Sequence, residues 1–320
     1  MRVLVLKTSS LGDVIHGLRV LTSLKAQVRG LHVTWVVQTP FAPLVANCEA
    51  VDETIIFHRR PLIAGMRAVL RELRSRQFDV ALDLQGRFLT GLMTARSGAP
   101  RRVGRTDCRE ASGIFYNERV PLPRAGRRSH AVDILLEFCA ACGAKVELRG
   151  PPVFRVTEEA AALVAPVRGA GPVVMFPDSR RAEKCWGGFA ELAATILREQ
   201  PGRQVVWSGD RPLTFSAADA FQGRFFNFTG RTPLAALPLL IREASWVISN
   251  DSGPLHLAAA LGAKALGVFG VTDPVLYGPY PPGVATNQVI VAPQGNLRLL
   301  PAVEVLSLLK QAGPEVFASR

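Results

Sequence analysis

Three short segments carry the side chains best suited to chemistry. The first is Lys7-Thr8-Ser9-Ser10-Leu11-Gly12-Asp13. Its small residues let backbone approach a ligand, and Gly12 permits a tight turn. Asp13 is placed either to cap the following helix or to accept a proton from a substrate. The segment is neither the G-x-G-x-x-G dinucleotide fingerprint nor a P-loop, which would end in Gly-Lys-Ser/Thr. The second segment runs from Phe176 through Asp178, Ser179, Arg180, Arg181, Glu183 and Lys184 to Trp186. Its cations could hold a diphosphate and stabilise charge developing on it. The plainer alternative is an exposed charged loop, with Trp186 anchoring the next helix. The third is Ser249-Asn250-Asp251-Ser252-Gly253-Pro254-Leu255-His256. Ser252 suits an N-cap, Pro254 a first helical turn and Gly253 a close ligand approach. The N–H groups of such a helix start would bind an anion such as a pyrophosphate. His256 falls one turn inside, either packed or as a ligand.

Elements able to position these segments alternate along the whole chain. Arg2–Lys7, His32–Val37, Thr54–Phe57 and Asp79–Leu84 read as strands, with amphipathic helices over Asp13–Val28 and Leu62–Gln77. Gly150-Pro151-Pro152 and Gly169-Ala170-Gly171-Pro172 punctuate a break over 146–171. A second series comes after it, with strands at Pro172–Phe176, Gln204–Trp207, Phe225–Phe228, Trp246–Asn250 and Lys264–Phe269. A last helix, Ala302–Gln311, could pack on either half. Strand–helix alternation with short loops predicts parallel sheets covered on both faces. The expected organisation is therefore α/β: two doubly wound domains, 1–155 and 156–320, facing across a cleft. Ligands in such sheets bind beyond the carboxyl ends of the strands, where all three segments fall.

At 320 residues, 48% hydrophobic and 20% charged, the chain has enough apolar side chains for two cores. No apolar run reaches the ~20 residues of a membrane span, and the N-terminus reads as a strand rather than a signal peptide. A cytoplasmic location is the expectation. The formal charge is +12, and residues 59–128 hold 16 Arg against 6 acids. That concentration of guanidinium groups predicts an anionic partner or a solvated basic surface. Nucleic acid is not expected, because no aromatic platform or recognition motif accompanies the arginines. Cys139 and Cys142 form a lone C-x-x-C within the helical-looking run Ala131–Ala144 and read as reduced, buried helix residues. Neither zinc nor a disulfide is indicated.

Taken together, Lys7-Thr-Ser-Ser-Leu-Gly-Asp-Val-Ile-His16, Asp83-Leu-Gln-Gly86, Ser179 to Lys184-Cys-Trp186 and Ser249-Asn-Asp-Ser-Gly-Pro-Leu-His256 resemble the lipopolysaccharide heptosyltransferases of glycosyltransferase family nine. Phe115-Tyr-Asn117 and His130-Ala-Val132 make the likeness closer to heptosyltransferase I. The resemblance implies a GT-B fold, with the acceptor held by the first domain and an ADP-sugar by the second. It implies inverting transfer of heptose to a Kdo-bearing lipid A, without metal or other cofactor. By the same likeness Asp13 is the catalytic base, and Lys184 stabilises the departing ADP with the helix start at Ser252 and Gly253. Ser9, Ser10 and Gly12 fall at the donor–acceptor junction, and Ser179, Asp251 and His256 shape the nucleotide-sugar site. Arg59, Arg60, Arg87, Arg101, Arg102 and Arg105 become candidate contacts to the anionic acceptor, which lies at the cytoplasmic face of the inner membrane. Peripheral membrane association is expected with it. Two departures stand out: Arg87-Phe-Leu-Thr90 replaces the family's Leu-x-Lys-Ser, and the third segment has Asp-Ser-Gly-Pro rather than Asp-Thr-Gly-Leu. After Trp207-Ser-Gly209 the near acidic candidate is Asp210. A family member with another sugar or acceptor, a non-catalytic nucleotide-sugar binding module and an NAD-dependent oxidoreductase are the competing expectations.

Overall fold

The computed structural model describes residues 1–317; the final three residues of the second expected domain, 318–320, lie outside the described residues. The chain divides into two compact units, one over Met1–Arg155 and one from Val156 onward.

In the first unit, β1 (Arg2–Leu6), β2 (His32–Gln38), β3 (Glu53–Phe57), β4 (Val80–Asp83), β5 (Arg101–Arg105) and β6 (Glu118–Val120) form one sheet in the order β3-β2-β1-β4-β5-β6. Every pair is parallel. Val3, Leu4, Val5 and Leu6 are all buried, so β1 reads as a continuous apolar run, as a central strand covered on both faces must. The second unit repeats the plan. Its strands β7 (Val173–Phe176), β8 (Val205–Trp207), β9 (Phe225–Asn227), β10 (Trp246–Asn250), β11 (Ala265–Phe269) and β12 (Asn287–Val291) lie in the order β12-β11-β10-β7-β8-β9, again all parallel.

Counted from the first strand of each unit, both orders are 3-2-1-4-5-6, the Rossmann arrangement. The strand order reverses between β1 and β4 in one unit and between β7 and β10 in the other. Crossovers leave these points in opposite directions, which opens a crevice at the carboxyl ends. The loop after β1 begins at Lys7 and that after β4 at Leu84; the loop after β7 begins at Pro177 and that after β10 at Asp251. All the segments singled out by residue type therefore sit at the two switch points.

Several elements differ from the sequence reading. β5, β6 and β12 were not expected. The Arg-rich β5 has a loop-like composition and is recruited by backbone pairing to β4, with Val103 buried. β6 and β12 are the edges of their sheets, where few side chains need burial. The helix from Leu62 ends at Arg74, and the Ala131–Ala144 run is two short helices, Ala131–Leu136 and Phe138–Ala141. All five cysteines are free thiols; burial pushes Cys139 up to about 12, whereas Cys142 is only half-buried and caps the end of Phe138–Ala141, because the chain turns away from the core there. The helix expected to be the last, Ala302–Ala312, is followed by a short one, Pro314–Phe317, and packs within the second unit: Val305, Leu306 and Leu309 share a core with Trp246, Leu192 and Ile196.

Candidate active site

At the switch point of the first unit, Ser10 is the N-cap of the Leu11–Gln27 helix, and Asp13 occupies the third helical position. Asp13 is thus not the cap itself; it closes the capping arrangement from within the first turn. Its Oδ2 accepts hydrogen bonds from the Ser10 hydroxyl at 2.6 Å and the Ser10 N–H at 3.1 Å. Its Oδ1 faces the Lys7 ammonium at 3.1 Å. Lys7 is only 4% exposed and Asp13 45%, so the cation is fixed beneath a carboxylate that a substrate can still reach. Burial works to raise the Asp13 carboxyl. It is outweighed by the charge of Lys7, the Ser10 hydrogen bonds and His16, which hold the group well below the usual carboxylate range. The segment's backbone is tied from outside: the Trp35 indole N–H donates to the Lys7 carbonyl at 2.9 Å, and Gln38 N–H donates to the Thr8 carbonyl at 3.2 Å.

This segment opens on a cavity of about 380 Å³, lined among others by Ser9, Ser10, Asp13, Gln85, Arg59 and Arg87. Two of the expected arginines, Arg59 and Arg87, therefore share a cavity with Asp13. Arg87 precedes the Phe88–Arg96 helix and pairs with Glu110 at 2.9 Å, while the same carboxylate accepts from the Phe88 N–H at 3.3 Å. Three of the other expected arginines are engaged elsewhere. Arg101 forks onto Glu118 at 2.7 and 2.8 Å and also donates to the Ala141 carbonyl. Arg102 donates to the Phe115 carbonyl at 3.0 Å, and Arg105 forks onto Asp107. Arg60 is exposed in the turn before the Leu62–Arg74 helix and does not line the cavity.

At the switch point of the second unit, Lys184 meets Asp251 at 2.5 Å, with side chains 18% and 6% exposed. His256 Nε2 lies 3.9 Å from the other Asp251 oxygen. The Gly253–Leu261 helix starts from Ser252 as N-cap, with Gly253 and Pro254 in its first turn. Its first N–H groups carry the positive end of the helix dipole. Ser179 is buried in the loop after β7, and its carbonyl accepts from Arg211 at 3.0 Å. Trp186 does anchor the loop: its indole N–H donates to the Leu300 carbonyl at 2.9 Å, and its ring meets Phe189 edge-on.

Sequence reasoning missed three residues that hold these loops. Fully buried Asn250 accepts from the Trp186 N–H and donates to the Pro177 carbonyl, each at 3.0 Å, tying the end of β10 to the loop after β7. Arg211, one residue past Asp210, forks onto Asp178. Gln85 bridges the loops after β1 and β4. For Gln85 the Asp-x-Gln-Gly motif was a usable signal, and for Arg211 the cation at a strand's carboxyl end.

Two Rossmann-ordered six-stranded units, each with its polar loops at the switch point, are the architecture of the GT-B fold. Residues 66–298 match glycosyltransferase family 9 (heptosyltransferase), and the chain belongs to that family. Among curated proteins it is 27% identical to lipopolysaccharide heptosyltransferase 1 of Escherichia coli K12, over 97% of this chain and 99% of that one. It is 25% identical to lipopolysaccharide heptosyltransferase 2 of Salmonella typhimurium, over 86% of this chain and 84% of that one. Among solved structures, E. coli heptosyltransferase WaaC with ADP superposes with a TM-score of 0.81 at 25% identity, covering 98% of this chain and 100% of that chain. E. coli ADP-heptose lps heptosyltransferase II shares the fold, with a TM-score of 0.79 at 23% identity and coverage of 99% and 100%.

Proposed function

We propose that the chain transfers heptose from ADP-heptose to a Kdo-bearing lipid A acceptor, with inversion and without a metal ion, in the manner of heptosyltransferase I. The observation that carries this reading is the pair of switch-point sites. One holds an ionised carboxylate above a buried lysine, and the other holds a lysine beside a helix N-terminus. The similarity to heptosyltransferase 1 along nearly the full chain supports the choice of donor and acceptor.

In this mechanism the first unit binds the acceptor and the second the nucleotide sugar. As the acceptor hydroxyl oxygen bonds to the anomeric carbon, its proton passes to Asp13. The bond between that carbon and the diphosphate oxygen breaks on the opposite face. The negative charge gathering on ADP is met by Lys184 and by the Gly253 N–H at the positive end of the helix. A carboxylate held below its usual range is a weak base toward a resting alcohol. It becomes adequate because the hydroxyl grows acidic as its oxygen bonds to carbon. Arg59 and Arg87 place cations along the acceptor cavity, suited to carboxylate and phosphate.

A thermal-shift panel of ADP, UDP, GDP, CMP and NAD, with and without EDTA, tests donor class and metal independence. Binding to the native state raises the melting temperature. The expected result is a selective shift with ADP that survives EDTA. A preference for UDP or GDP removes ADP-heptose in favour of another sugar, and a shift lost in EDTA removes metal independence.

The reading also places the protein on the anionic face of a membrane. The Leu62–Arg74 helix buries Gly65, Val69 and Leu73 on one side and leaves Arg67, Arg71 and Arg74 exposed. Its first turn presents Leu62 and Ile63, with Ile63 68% exposed. A basic face with an apolar tip suits an acidic lipid surface. Among the described residues no helix is long and apolar enough to cross a membrane. Flotation with anionic vesicles should occur at low salt and fall as salt rises above about 0.15 M, where charges are screened within about 8 Å. Flotation indifferent to salt would remove this placement.

A further inference from the structure

Gln85 lies between the acceptor cavity and the backbone of the segment that carries Asp13. Its Oε1 accepts from two peptide N–H groups, Thr8 at 3.1 Å and Ser9 at 3.3 Å. Two N–H donors converging on one atom identify that atom as the amide oxygen, which fixes the direction of the Nε2 group. Among the described residues Nε2 has no hydrogen bond, and Gln85 lines the same cavity as Asp13, Ser10, Arg59 and Arg87. The amide therefore spans the site: its oxygen grips the loop and its NH2 is left for a ligand.

Gln85 is itself held rigidly. Asp83, fully buried at the end of β4, accepts from the Gln85 and Gly86 N–H groups at 2.9 Å each through Oδ1. Its Oδ2 accepts from the Tyr116 hydroxyl at 2.7 Å. The Gln85 N–H also reaches the Leu6 carbonyl at 3.2 Å, across the register that pairs Leu6 with Asp83. A side chain locked at its root transmits its position to what it holds, and errors near 1 Å at a reacting group cost on the order of 100-fold.

Resting on the transferase reading above, we infer that Gln85 is a positioning residue of the reaction: its carbonyl sets the height of the Thr8–Ser10 backbone that presents Asp13, and its NH2 donates to an oxygen of the anionic acceptor. Two variants separate these roles. Gln85→Met keeps the length of the side chain and removes both interactions. Gln85→Glu keeps an oxygen for Thr8 and Ser9 but replaces the donor with a negative charge.

Steady-state kinetics with ADP-heptose and Kdo-lipid A, beside thermal melts, should show kcat of Gln85→Met reduced about 10- to 100-fold at a melting temperature near wild type. Gln85→Glu should recover most of kcat while its acceptor KM rises about tenfold, since the added charge repels the acceptor and KM for ADP-heptose stays put. Equal kcat in wild type and Gln85→Met overturns the proposal while leaving the function intact. So does a Gln85→Glu enzyme no faster than Gln85→Met, whatever the melting temperatures. An inactive wild type overturns the transferase reading and this inference with it.

Discussion

Asp13→Asn should lower turnover by at least ~100-fold while leaving ADP affinity within a few-fold of wild type. The amide is the informative replacement. Its oxygen can still accept from the Ser10 N–H, which preserves the helix start that Asp13 closes. Both replacements take the counter-charge from a lysine that is 4% exposed, but Asp13→Ala also removes the acceptor for Ser10 and for the ammonium, adding a larger folding effect to the chemical one. ADP affinity belongs to the second unit in this mechanism, so a chemical role for Asp13 separates the two measurements. An Asp13→Asn enzyme turning over at the wild-type rate would mean that another group accepts the proton.

The pH dependence adds a second test of the same carboxylate. The folded pKa of Asp13 lies below its ordinary value, so the ionised, proton-accepting form persists as pH falls through the usual carboxylate range. In wild type the acid limb of kcat/KM from this group should therefore lie below that range. Lys7→Met removes the strongest of the lowering influences and leaves the burial that raises the group. The acid limb should then move to higher pH, with the plateau rate less affected than the limb. A limb unmoved by Lys7→Met would detach the observed titration from Asp13.

The switch-point loops were legible because fully buried parallel strands spell themselves as β-branched runs, and each such run must give way to a loop at its carboxyl end. Trp246–Asn250 could be read residue for residue. Even the start of the next helix was visible, from Ser252, Gly253 and Pro254. β5 was hidden because its arginines and a glycine give it no strand signature; its state is decided by β4 beside it. The pairings inside the sites were hidden for a related reason. Gln85 reaches Thr8 across 77 positions, and Lys184 reaches Asp251 across 67. Such contacts arise from strand order, and local patterning carries no trace of strand order. The arginine cluster shows the same limit from the other side. Charge counting found 16 guanidinium groups, but only the fold shows that Arg101 and Arg105 meet their carboxylates away from the cavity, while Arg59 and Arg87, the latter paired with Glu110, line it.

Lys184→Met should reduce kcat by about 100- to 1,000-fold, the range typical of losing one preorganised group that faces developing charge. The residue is well placed for that task. It sits at the switch point of the second unit, 18% exposed, with its ammonium aimed by Asp251. A single substitution, however, strands a carboxylate that is 6% exposed, and an uncompensated buried charge costs about 3–5 kcal/mol. The loss in rate could then be a loss of folded enzyme. Combining Lys184→Met with Asp251→Asn removes both charges and should restore the melting temperature without restoring kcat. The coupling in stability and the absence of coupling in rate would assign Lys184 to the leaving diphosphate rather than to the architecture. If the double variant instead recovers kcat to within a few-fold of wild type, the lysine serves only to neutralise Asp251. The charge on departing ADP would then fall to the N–H groups at the start of the Gly253–Leu261 helix.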